Sequence, residues 1–319
     1  MTTYNQTITP SLLKVNERDA HYWLTNIVTK YNTSLFGSEF ITKSSLDEYL
    51  LLRKALGATA GFRRNEPPNI PLISSINNSP SRVIVDNLTG TGWHLISNNI
   101  LADASQATIS QIQSILLEPR SNAKRSIQAP LGFASLLKHI MTPELYAAIK
   151  SYLGVERPTF YPPHILCSQP LERGKILSTK ELSDRAFAFH RDYDNIRWLK
   201  LFVNLTSTKG GNHEYIQGSH HTSNRDIASD YADRTRNVLH EDPVVAYTEY
   251  ETHLWLGRFH ESSIKHVYGD RQTIRMNTNE GACWIEDTYG LHRGNPPHEG
   301  DRAVASFLIA QYPIRYSDI

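Results

Sequence analysis

The sequence predicts a mainly β domain with helices on its flank. Three observations lead there. After Gly154 the chain is a series of short apolar or alternating runs broken by turn residues: Ile165–Cys167, Ala186–Phe189, Trp198–Leu205, Ala282–Ile285 and Val304–Ala310. No long helical pattern separates them, which points to a sandwich or barrel. The helical signals gather before that glycine. With 319 residues, 39% of them hydrophobic and 20% charged, the chain can also bury a sizeable core.

The N-terminal part reads as helix and loop. Ser45-Leu-Asp-Glu48 forms a capping box opening a short helix that carries Leu46, Tyr49, Leu50 and Leu51. Residues 61–82, rich in Asn, Pro, Ser and Arg, read as a linker. Residues 1–82 are thus expected to be a helical extension packing on a core domain of residues 83–319. Within that domain Val83-Ile84-Val85 and Trp93–Ile96 read as short strands. A helix is expected over 104–118, with Ile109, Ile112 and Leu116 on one face. Another is expected over 142–153, where Thr142 caps, Pro143 takes the first helical position and Gly154 stops the run. Residues 221–275 form a long insert of charged and aromatic stretches, of the kind that builds lids, substrate walls or interfaces.

Bulk properties exclude several classes. A net charge of +1 offers no strong pull on nucleic acid or anionic membrane. No apolar run is long enough to span a bilayer, and the N-terminus lacks the pattern of a signal peptide. Cys167 and Cys283 are too few for a disulfide framework or a thiolate metal site, so a cytoplasmic location is expected and both read as core residues. There is no Gly-x-Ser-x-Gly elbow for a hydrolase, and Gly90-Thr-Gly92 lacks the rest of a phosphate-binding loop.

One constellation carries chemistry. Phe187-Ala-Phe-His190-Arg-Asp192 ends an apolar run with a His-x-Asp step, and residues two apart on an extended chain point the same way. An imidazole and a carboxylate so placed suit Fe(II), Mn(II) or Zn(II). His292 is the best third ligand, since it follows the strand-like run Gly281–Glu286. Two histidines and a carboxylate cover one face of an octahedral ion and leave three positions for a chelating 2-oxo acid and O2. Ten residues on, Arg302 enters the run Val304–Ala310 and offers a planar fork for a carboxylate. The bland alternative for Arg302 is a surface ion pair with Glu299 or Asp301.

Taken together, His190-Arg-Asp192, Gly210-Gly-Asn-His-Glu-Tyr-Ile-Gln-Gly-Ser-His220 and Gly281 through His292 to Arg302 resemble the phytanoyl-CoA dioxygenase-like family of Fe(II)/2-oxoglutarate oxygenases. Gly92–Leu101 and the helix after it are similar to the usual start of that domain. The likeness covers about residues 83–319. It implies a double-stranded β-helix (a jelly roll), with Fe(II) at His190, Asp192 and His292. It also implies 2-oxoglutarate held by Arg302, with O2 as the other cosubstrate. Hydroxylation or another oxidation of a small organic substrate, free or bound to a carrier or peptide, would release succinate and CO2. Related halogenating enzymes have a small residue at the position of Asp192, so its presence implies oxidation rather than halogenation.

The chain departs from the family at Gly294, where a hydroxyl residue often helps bind the oxo acid. Lys200, alternating with Leu199 and Leu201, is a candidate replacement donor, against the plainer reading of a solvent-facing lysine. Candidate substrate contacts are Tyr161, His164, Trp198, Trp284 and Arg293, each equally readable as core or rim. His220-His221 reads as no ligand pair, because neighbours on a strand point apart. The competing reading is a cupin-like metal-binding domain without oxygenase activity, an isomerase or ligand-binding module. It is disfavoured by the arginine after the last ligand.

Overall fold

A computed structural model describes residues 80–117, 126–128, 133–171, 187–192, 197–221, 259, 261–269 and 273–311. The expected capping box at 45–48 and most of the proposed N-terminal extension lie outside these residues, as does most of the 221–275 insert.

Four helices precede or flank the first long strands: α1 Pro80–Gly90, α2 Gln106–Leu117, α3 Ala134–Ile140 and α4 Pro143–Leu153. The last is built as its sequence demands. Thr142 Oγ1 accepts from the Leu145 N–H at 3.2 Å, and Gly154 closes the helix at φ 69° with its N–H on the Lys150 carbonyl. Left-handed φ suits glycine, which has no Cβ to clash. Helix α1 corrects the strand expected at Val83-Ile84-Val85. Its β-branched residues favour extension locally, but Ser81, Ile84 and Leu88 recur at helical spacing and are all buried, while Val83 points out. Burial of that face overrides local propensity.

The strands are β1 Trp93–Ser97, β2 Ser126–Gln128, β3 Thr159–Phe160, β4 His164–Ser168, β5 Trp198–Asn204, β6 Lys209–Gly210, β7 His213–Ile216, β8 Thr273–Arg275, β9 Cys283–Glu286, β10 His292–Gly294, β11 Pro297–Glu299 and β12 Arg302–Ala310. A further helix, α5, spans Glu261–Tyr268. The large sheet runs β1-β9-β5-β12-β4-β2, with β3 also on β12. The small sheet runs β10-β7-β8, and His190 bridges to His292 at its β10 edge. All of these pairings are antiparallel.

The chain passes between the sheets in turn. It goes from β4 in the large sheet to His190 in the small one, back to β5, across to β7 and β8, back to β9, across to β10 and home to β12. This is the connectivity of a double-stranded β-helix. The expected run at Ala186–Phe189 is the exception, because Phe187–Phe189 lie in no strand and only His190 pairs.

Alternation along the strands sorts the side chains into two cores. Leu199, Leu201, Val203, Cys283, Ile285, Ala303, Ala305 and Phe307 join Leu88, Leu136, Ile149 and Leu153 of the helices in one cluster. Phe202, Trp284 and Val304 face the other way and pack with Tyr215 and Met276 between the sheets. The parity of β5, β9 and β12 therefore sends Lys200, Glu286 and Arg302 into the barrel. At Gly92 and Gly290 a Cβ would meet the Tyr215 hydroxyl at 2.1 and 1.9 Å, so both positions admit only hydrogen.

Two outcomes test this packing. Leu201→Ala, on the fully buried helix-facing side of β5, should cost about 2–5 kcal/mol in urea unfolding. Cys283 is fully buried, and burial pushes its thiol up, whereas Cys167 is partly exposed. A thiol-reactive dye should therefore label Cys167 in the native protein and reach Cys283 only after denaturation.

Candidate metal centre

His190 and His292 are brought face to face by the backbone. The His190 N–H donates to the His292 carbonyl at 2.9 Å, and the His292 N–H donates back at 3.0 Å. Such a reciprocal pair sets two residues directly opposite one another. Their ring centroids lie 4.2 Å apart. Asp192 is tied in by its own N–H to the Thr288 carbonyl at 2.9 Å. One ligand atom from each of His190, Asp192 and His292 falls within 4.8 Å of the others, and among the described residues no other group of histidine, cysteine or carboxylate does this.

The donor set fits a metal ion. In each histidine Nδ1 lies 2.9 Å from the carbonyl two residues back, Ala188 for His190 and Gly290 for His292. A carbonyl can only accept, so Nδ1 carries the proton and Nε2 keeps its lone pair. Both Nε2 atoms face the Asp192 carboxylate, at 4.0 Å from His190 and 3.4 Å from His292. Orienting contacts of this kind, made by the far ring nitrogen, accompany most metal-binding histidines.

Charge is concentrated here. Burial alone would raise Asp192, but Lys200, and then His292 and His190, hold its carboxyl well below the ordinary range. Burial likewise disfavours a charged His292, yet Asp192, helped by Glu286 and the Gly290 carbonyl, carries that imidazole above its usual value. A carboxylate and two imidazoles converging inside a barrel are a donor set that a divalent cation can satisfy.

Arg302 stands on the same inner face. Neither acidic neighbour takes it, since Glu299 pairs with Lys209 at 2.8 Å and Asp301 accepts from Gln169 at 3.4 Å. No carboxylate among the described residues pairs with its guanidinium, and desolvation lowers it to about 10. Two glycines make room for it. A Cβ at Gly294 would lie 3.1 Å from Nη1, and one at Gly211 3.2 Å from Cδ. The glycine that departs from the family pattern is therefore the wall against which this arginine rests.

Lys200 turns inward rather than to solvent. Its Nζ donates to Asp192 Oδ2 at 2.7 Å. Of the residues read as substrate contacts, Trp198 and Trp284 are 0% and 1% exposed, with their indole N–H groups on Thr288 Oγ1 and Glu286 Oε2. Both fill the core. Arg293 faces out of the barrel, where its Nε meets Glu214 at 2.7 Å and its guanidinium covers the Phe189 ring. The single-residue step from His292 imposes that direction. Tyr161 is partly buried and follows β3, and exposed His164 opens β4.

Sequence reasoning missed three groups. His213 lies beside His292, with ring centroids 5.6 Å apart, and Nε2 meets Glu286 at 2.9 Å. Burial pushes that imidazole down against the pull of the Glu286 carboxylate. Alternation with Tyr215 and Trp284 could have signalled the pair only once the strand register was known. Arg191, fully buried between His190 and Asp192 in the chain, points the opposite way, donates to the Ser219 carbonyl at 2.8 Å and sits 4.6 Å from the centroid of the Tyr289 ring. It anchors the ligand segment from behind. Tyr152 on α4 donates to Asp287, tying the helical layer to the turn before His292.

The buried His213–Glu286 pair gives a test. His213→Leu leaves the Glu286 carboxyl under-satisfied inside the barrel and should cost about 3 kcal/mol. Adding Glu286→Leu removes the orphaned group and should recover a substantial part of that loss in denaturant unfolding. Equal costs for single and double variants would show that the two side chains do not act as a pair.

No family model and no curated protein matches the chain. Solved structures with a similar course of chain include EctD from S. alaskensis with bound Fe, at 15% identity and a TM-score of 0.46 over 77% of this chain and 81% of that one. HygX from Streptomyces hygroscopicus, with nickel and 2-oxoglutarate bound, gives 14% and 0.42 over 73% and 87%. AviO1 from Streptomyces viridochromogenes Tue57 gives 10% and 0.44 over 75% and 98%. Likeness at this level carries no argument about the chemistry of this chain, which rests on its own residues.

Proposed function

We propose that this protein is an Fe(II)- and 2-oxoglutarate-dependent oxygenase that oxidises a small organic substrate. One observation carries the reading. A guanidinium that no carboxylate among the described residues pairs with and a two-histidine, one-carboxylate set occupy the inner surface of the same barrel. An isomerase or simple binding domain has no use for that arginine, whereas a 2-oxo dicarboxylate needs both features. One end chelates the metal and the other presents a carboxylate to a planar fork.

In this reading His190, Asp192 and His292 hold Fe(II), which supplies oxo-acid chelation and O2 activation. Arg302 binds the far carboxylate of 2-oxoglutarate bidentately and so fixes the direction in which the cosubstrate lies. Phe202, Trp284, Tyr215 and Val304 exclude water from the space between the sheets. Dry surroundings strengthen the arginine–carboxylate contact and protect reactive species from solvent. The overall reaction would convert substrate, O2 and 2-oxoglutarate to hydroxylated or otherwise oxidised product, succinate and CO2. A chain with only two cysteines, one of them fully buried, suits work in a reducing compartment.

Substrate-independent turnover offers the direct test. Protein loaded with Fe(II) and supplied with ascorbate, the two-electron reductant that takes the place of substrate for the second oxygen atom, should slowly convert 2-oxoglutarate to succinate in air, and His292→Ala should abolish this. Arg302→Ala removes charge-assisted hydrogen bonds worth about 1.5–3 kcal/mol, so KM for 2-oxoglutarate should rise by roughly 10- to 100-fold. Iron-loaded protein that neither binds nor consumes 2-oxoglutarate would refute the assignment.

A further inference from the structure

Nothing in the strand geometry sets the orientation of the Asp192 carboxylate. Asp192 lies in no strand, and among the described residues its backbone makes one hydrogen bond, to Thr288. Lys200, by contrast, is firmly placed. Leu199 and Leu201 on either side are fully buried against the helices. The strand pairs with β12 on one edge and β9 on the other, setting Lys200 opposite Leu308 and Glu286. Period-two alternation then leaves the lysine no direction except inward. Its ammonium reaches Asp192 Oδ2 at 2.7 Å, with both side chains less than one-fifth exposed.

Metal stoichiometry gives this contact a meaning. Two histidines and one carboxylate oxygen use three of six positions, a chelating 2-oxo acid needs two and O2 needs one. A carboxylate is free to bind through both oxygens, and doing so here would take a position that the cosubstrate or O2 requires. An oxygen held in a hydrogen bond to an ammonium is a poor second ligand.

We propose that Lys200 is a positioning residue that holds Asp192 to one-oxygen ligation, reserving the remaining positions for the 2-oxo acid and O2. The inference rests on the function proposed above for its purpose, though not for its geometry. It predicts an unusual split. Loss of the lysine removes a cation from beside the site and frees the second oxygen. The metal alone should then bind as well or better, while the oxo acid binds worse. A lysine that merely supported the fold would, when lost, weaken both together.

Co(II), whose visible d–d spectrum reports coordination number, is the probe. Wild type, Lys200→Met, Lys200→Gln and Lys200→Arg would be titrated anaerobically with Co(II) and then with 2-oxoglutarate. For Lys200→Met the expected result is Co(II) affinity equal to or above wild type, a changed d–d spectrum before any oxo acid is added, and at least tenfold weaker 2-oxoglutarate binding. Lys200→Arg should restore the wild-type spectrum in large part, and Lys200→Gln stands in should the methionine variant not fold. A spectrum and affinities indistinguishable from wild type would overturn the proposal, as would parallel loss of metal and oxo-acid binding in a folded variant. Should wild type itself show no response to 2-oxoglutarate, the proposed function fails, and the Co(II) spectrum alone then decides the role of Lys200.

Discussion

Two backbone hydrogen bonds between His190 and His292 hold together residues about a hundred positions apart in the chain, and the candidate centre depends on them. They form one rung of an antiparallel ladder and nothing more. Because the rung places Cα atoms directly opposite, the two imidazoles face each other without strain. Arg191 then clamps the His190 segment from behind through Ser219 and Tyr289. On the other side Tyr152 reaches from the helical layer to Asp287, in the turn five residues before His292. Each fastening lies outside the barrel, so the interior is left for charge.

That interior is an unusual place for so many ionisable groups. Lys200, Asp192, His213, Glu286, His292 and Arg302 share the inner region with Phe202, Trp284 and Tyr215. Burying a charge without a partner is costly, and the observed pairings offset most of that cost. Lys200 meets Asp192, and His213 meets Glu286. Arg302 is the exception among the described residues: no carboxylate there pairs with it, and desolvation lowers its hold on the proton. An anionic ligand relieves that penalty, which is why a structural imbalance reads as a binding site.

Much of this was legible in the residues. Runs such as Trp198–Leu205 and Val304–Ala310 became strands because each is apolar on both faces, one against helices and one against the opposite sheet. The His-x-Asp step and His292 were recognisable as ligand types at plausible positions. Val83–Val85 misled because β-branched residues favour extension wherever packing is silent, whereas here Ile84 and Leu88 had α4 to bury against. His213 and Glu286 escaped notice because their partnership spans 73 residues and exists only through the pairing of the sheets.

Periodicity and residue type are local properties, and they were sufficient for the fold class, the α4 caps and the identity of the three candidate ligands. Direction is not local. Whether Lys200 faced water or Asp192, whether Arg302 met Glu299 or turned away from it, and whether Arg293 looked into the barrel or out of it all depended on which face of a strand turned toward the second sheet. A single-residue shift in register would have reversed every one of those side chains. Long-range strand pairing fixed that register, and with it the difference between a surface cation and a group at the candidate centre.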